Sequence, residues 1–175
     1  IAWRMYTRSG EELSKTSSLI RPDGFEIPKS ATEIHGITTE EAREDGKALR
    51  DVLAGFERKL KEADWLVAHN ASFDRGVLLS EYHRAGAKSS LEDLPSLCTM
   101  EQSEGLVGGT EKPTLGELHE ALTGREPLRQ HRASSDVSTT VSCFWKLLAR
   151  EEVDLPPELE EVNNSDGENQ SDPAS

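Results

Sequence analysis

Residues 65–69, WLVAH, place the tightest constraint on what this chain can fold into. A short, mostly apolar run of this kind suits a strand buried on both faces, as strands inside parallel sheets are. The run stops at His69, and a helical pattern begins almost at once. Phe73, Val77, Leu78 and Tyr82 fall on one face, with Ser72 as candidate cap and Gly86 as stop. A strand that feeds a helix reaches its next partner by a crossover and runs parallel to it. Residues 94–100, LPSLCTM, supply that partner.

The flanking sequence fits the same class. Residues 1–22 alternate, with Ile1, Trp3, Met5 and Thr7 on one side, and Ser9-Gly10-Glu11 reads as a hairpin turn. Residues 23–38 are punctuated by Pro and Gly and hold one helical turn around Ala31 to His35. Thr38 or Thr39 caps a short acidic helix, and Leu49, Val52, Leu53, Phe56, Leu60 and Ala63 mark an amphipathic one. Thr114 and Gly124 bracket a further helix. In the last, residues 133–150, the expected buried stripe is Ala133, Val137, Val141, Phe144, Trp145 and Leu148. The order is that of an α/β fold, an antiparallel hairpin with parallel additions.

The formal net charge of −13 argues against nucleic acid until it is located. Nine of the 33 acids lie in residues 151–175, which hold no Lys or Arg; residues 1–150 carry 24 acids against 20 bases. The sequence thus divides into a mildly acidic domain, 1–150, and an acidic tail, 151–175, too poor in apolar residues to offset its ordering entropy. No apolar run is long enough to cross a membrane. Cys98 and Cys143 form no metal or redox motif, which suits two plain thiols in a reducing, cytoplasmic compartment.

In open α/β sheets, ligands bind beyond the carboxyl ends of the strands. Asp74 stands there, in the first turn after WLVAH. Its bland reading is a first-turn acid favoured by the helix dipole. A second constellation, HRASSD at 131–136, shifts the weighing: Asp136 adjoins the core position Val137, and His131 precedes the helix. Carboxylate oxygens suit Mg²⁺ or Mn²⁺, and a histidine titrating near neutrality suits removal of a proton from water.

N-x-x-F-D at Asn70 to Asp74, H-x-x-x-x-D at His131 to Asp136 and IHGIT at Ile34 to Thr38 together resemble the DEDDh 3′–5′ exonucleases over about residues 1–150. That resemblance implies a ribonuclease H-like fold, a mixed sheet with helices on both faces. It also implies two divalent ions, Mg²⁺ or Mn²⁺, acting on the 3′ end of single-stranded DNA or RNA, with a DNA polymerase as a partner. Asp74 and Asp136 would be metal ligands and His131 the base. His35, Gly36, Ile37 and Thr38 would border the 3′ nucleotide. Asn70 and Phe73 join this substrate side, Asn70 ordering the turn and Phe73 packing under Asp74.

The family's first motif, D-x-E on a central strand ahead of the hairpin, is absent from these 175 residues. The expectation is a fragment of a longer parent, inactive by itself for want of two acids. The rival reading is a non-catalytic nucleic-acid-binding or polymerase-associated module that has lost that motif. A D-x-E encoded upstream of Ile1 would separate the two.

Overall fold

The computed structural model describes residues 1–109, 111–127, 132–151 and 153. Strand β1 (Ala2–Tyr6) pairs antiparallel with β2 (Glu12–Ser17), Trp3 opposite Thr16 and Met5 opposite Ser14. Gly10 turns the hairpin at φ +90°, a backbone angle that glycine reaches without strain. Three helices follow: α1 (Lys29–His35), α2 (Thr39–Asp45) and α3 (Leu49–Leu60). Thr38 caps α2 as expected, its hydroxyl accepting the Glu41 N–H at 3.1 Å. A side chain at Gly46 would fall 2.1 Å from the Ala42 carbonyl oxygen, so the close approach of α2 to Arg21 needs glycine there.

Strand β3 (Leu66–Ala68) feeds α4 (Ala71–Arg84), and a 3₁₀ turn at Ser90–Glu92 leads into β4 (Ser96–Cys98). β3 and β4 are parallel, with Val67 opposite Leu97, as a crossover requires. The short α5 (Thr99–Gln102), α6 (Leu115–Thr123) and α7 (Ala133–Ala149) complete the described chain.

The arrangement is α/β, but the expected mixed sheet is not a single sheet among the described residues. β1–β2 and β3–β4 are separate two-stranded sheets flanked by helices. Two apolar clusters form the core, and β3 touches both, Leu66 the first and Val67 the second. Leu53, Phe56 and Leu60 of α3 pack with Tyr82, Leu91 and Leu94, and Trp3 closes on Phe56 with ring centroids 5.1 Å apart. Leu97, Leu118, Leu122, Cys143 and Leu147 form the second cluster, which also takes in Val153. Val153 falls within the segment expected to be tail; residues 154–175 lie outside the described residues.

Two local expectations are revised. α4 is capped by Asn70 rather than Ser72, with Asn70 in the left-handed region at φ 65°, ψ 53°. In α7 the buried stripe is Thr139, Cys143 and Leu147, while Val137, Val141, Phe144, Trp145 and Leu148 are only half-buried. These apolar residues line a cleft instead. No described helix is long and apolar enough to cross a membrane.

Candidate active site

The cleft, about 1100 Å³, opens between β1 and β3 and is walled by α3, α4 and α7. Its lining is predominantly apolar, and both Asp74 and Asp136 open onto it. Two acids 62 positions apart are thus brought to one concavity by the starts of two different helices.

Asp74 is delivered by the turn after β3. The Asn70 carbonyl accepts the N–H of Phe73 at 3.0 Å and of Asp74 at 3.4 Å, so the left-handed residue starts the helix that carries the acid. Asp74 retains exposed surface, yet the concave wall around it thins its hydration and raises its carboxyl above the ordinary value. Asp136 is half-buried in the first turn of α7. Its N–H donates to the Arg132 carbonyl at 2.9 Å, and its own carbonyl accepts the Thr140 hydroxyl at 2.9 Å.

Phe73 does not pack beneath Asp74. It is 65 % exposed and lines the cleft, together with the exposed Val77 one turn on. The sequence places both on one apolar helix face, which opens onto the cleft at Phe73 and Val77 and enters the core only further along, at Tyr82.

The IHGIT segment forms a tight connection between α1 and α2. Gly36 ends α1 at φ 72°, its N–H donating to the Thr32 carbonyl at 2.7 Å. His35 Nδ1 accepts the Ile37 N–H at 3.1 Å, and the Thr32 hydroxyl donates to the Ile37 carbonyl at 2.9 Å. His35 to Thr38 are not among the residues lining the cleft. Gly36 instead lies beside the residue that precedes α7: a Cβ on it would lie 3.3 Å from the Arg132 guanidinium. His131 lies outside the described residues.

The donor set bears on the implied metals. Two carboxylates on one cleft match in kind what Mg²⁺ takes, one or two carboxylates with phosphate and water completing the shell. They fall short in number. Among the described residues there is no group of three or more His, Cys, Asp or Glu that could hold an ion. A two-ion centre does not fit the described residues alone.

Two further side chains support the site without a signature in spacing or periodicity. Arg75, next to Asp74, donates to the carbonyls of Leu94 at 2.8 Å and Glu92 at 3.2 Å, tying α4 to the approach to β4. His69 bridges Thr99 and Pro113. Its position between the apolar run and Asn70 was the one available signal.

The exonuclease family model, RNase_T, matches residues 2–144. This chain belongs to that exonuclease family. The chain is 31 % identical over 163 residues to a DNA polymerase III PolC-type of Oceanobacillus iheyensis, covering 93 % of this chain and 11 % of that protein. It is 30 % identical over 142 residues to the 3′-5′ exonuclease DinG of Bacillus subtilis, 81 % of this chain and 15 % of the relative. With the PolC-type polymerase of Listeria innocua it shares 33 % over 145 residues, 81 % of this chain and 9 % of the relative. The chain therefore spans only a small part of the length of these relatives. The likeness supports a nuclease-related role at the level of the family.

Proposed function

We propose that this domain removes nucleotides from the 3′ end of single-stranded DNA or RNA by divalent-metal-dependent hydrolysis, with Asp74 and Asp136 as two of the metal ligands. The observation that carries this reading is their convergence on one cleft from α4 and α7. His131 is assigned as the base that takes the proton from the attacking water, and Mg²⁺ or Mn²⁺ as the ions. Phe73 and Asn70 flank the 3′ end at the start of α4, and His35 to Thr38 border it from the α1–α2 connection. Residues 1–150 form the nuclease domain and 151–175 an acidic appendage to it.

A two-ion centre of this kind needs acids besides Asp74 and Asp136. An extended segment in the cleft between β1 and β3 would join the two sheets into one ribonuclease H-like sheet and bring its own side chains close to Asp74. The PolC-type relatives support a DNA polymerase as the working partner, with DNA favoured as substrate.

The shortage of donors among the described residues favours a second reading, binding without cleavage. Reading the flanking coding sequence for D-x-E, then assaying the complete product on a 5′-labelled oligonucleotide with Mn²⁺, separates the two. Stepwise 3′ shortening is expected, abolished by Asp74→Ala or Asp136→Ala and slowed by about 10²–10⁴ in His131→Ala. Shortening that survives both aspartate substitutions would overturn the assignment.

A further inference from the structure

The His69 ring contacts two other chain segments. Its Nδ1 lies 3.0 Å from the Thr99 hydroxyl and its Nε2 lies 3.0 Å from the Pro113 carbonyl oxygen. A carbonyl can only accept, so Nε2 carries the proton; in a neutral ring the Nδ1 lone pair accepts the single Thr99 hydroxyl proton at 3.0 Å, in preference to the Ala68 carbonyl at 3.4 Å. Burial lowers the pKa of the ring, which agrees with a neutral imidazole, although the bond to Pro113 opposes the shift. Thr99 and Pro113 are themselves fully buried.

The three segments held in this way all border the site. Asn70, the next residue, starts the turn that carries Asp74, and the Ala71 N–H meets Cys98 Sγ at 3.4 Å beside Thr99. Beyond Pro113, Thr114 opens α6 with a reciprocal cap. Its N–H donates to the Glu117 carboxylate at 2.8 Å, and its hydroxyl accepts the Glu117 N–H at 3.3 Å. Thr114, Leu115 and Gly116 line the cleft onto which Asp74 and Asp136 open.

We propose that His69 is a positioning residue: one imidazole fixes the start of α6 against the turn carrying Asp74, and so sets the width of the cleft at that end. The coupling between the two segments stands on this geometry. Only its effect on nucleic-acid binding rests on the proposed function.

Glutamine can restore both bonds, its amide N–H donating to Pro113 and its oxygen accepting from Thr99, whereas phenylalanine keeps a ring and loses both. In His69→Phe, amide exchange at 70–74 and at 114–118 should rise together by about tenfold with α3 unchanged, and His69→Gln should return both to near wild type. Unchanged exchange, or acceleration in one segment only, overturns the coupling. Should His69→Phe not fold, ring-nitrogen NMR of the wild-type chain decides. A neutral Nε2–H tautomer supports the bridge, and an Nδ1–H tautomer overturns it.

A 5′-fluorescein oligothymidylate with Ca²⁺ tests the consequence for substrate. A Kd about tenfold weaker in His69→Phe, recovered in His69→Gln, is expected. Wild-type affinity in His69→Phe would overturn the role in positioning. No binding by the wild type would count against the nuclease reading, while the exchange result still judges the bridge.

Discussion

At the scale of single residues, Asp74 and Asn70 show how a local conformation is tied to a chemical role. Although Asp74 keeps exposed surface, the cleft wall thins its hydration and raises its carboxyl from the ordinary value of 3.8. Below that value the folded and unfolded chains both hold the proton. Between it and the raised value the folded chain holds more, so stability falls as pH rises, and the penalty is complete above. Asp74→Asn should therefore raise the melting temperature at pH 7, with a gain over wild type that shrinks as the pH falls towards about 4. An unchanged or lowered melting temperature would mean that the cleft does not desolvate this acid. Asn70 holds the left-handed backbone that begins α4. Asn70→Gly should fold with little loss, while Asn70→Ala should cost roughly 1 kcal/mol, because a Cβ without a polar group disfavours that region. Chemical denaturation of the two variants checks the difference.

At the scale of elements, ends were more legible than faces. Thr38, Thr114 and Gly124 cap where the sequence says they should, because a cap is a local hydrogen bond that depends only on its own few residues. Thr114→Ala should cost about 1 kcal/mol by the same reasoning, read from urea melts. Faces are relational. On α7 the hydrophobic positions Val137, Val141, Phe144, Trp145 and Leu148 form the obvious stripe, yet they line the cleft. The core side carries Thr139, Cys143 and Leu147. Thr139 can be buried because its hydroxyl donates to the Ser135 carbonyl at 3.0 Å, a satisfaction that a hydropathy pattern does not register. The two stripes predict unequal costs. Leu147→Ala, at a fully buried position, should lose about 2–5 kcal/mol, and the neighbouring Leu148→Ala roughly 1 kcal/mol or less. Equal losses would put Leu148 in the core.

At the scale of the whole molecule, the α/β order, the hairpin and the parallel pair were all readable from spacing, whereas the pairing of Asp74 with Asp136 was implied only by the family resemblance. The division into two sheets was not, because pairing depends on which edges meet and not on the pattern along any one strand. The same division leaves an apolar cleft open to solvent. An environment-sensitive dye such as ANS should fluoresce on the 175-residue chain, and Phe73→Ser with Val77→Ser should weaken that signal; an unchanged signal would place the exposed apolar surface elsewhere. The two sheets also differ in how far apart their partners lie along the chain. β1 and β2 are separated only by residues 7–11, whereas β3 and β4 are separated by residues 69–95 and the whole of α4. Translated into time, the first closure costs little chain entropy and the second must wait for its helix. The molecule should therefore assemble in order, the hairpin before the pair that carries Asp74 into place. Pulse-labelled exchange during refolding would show the candidate site as one of the last features to form.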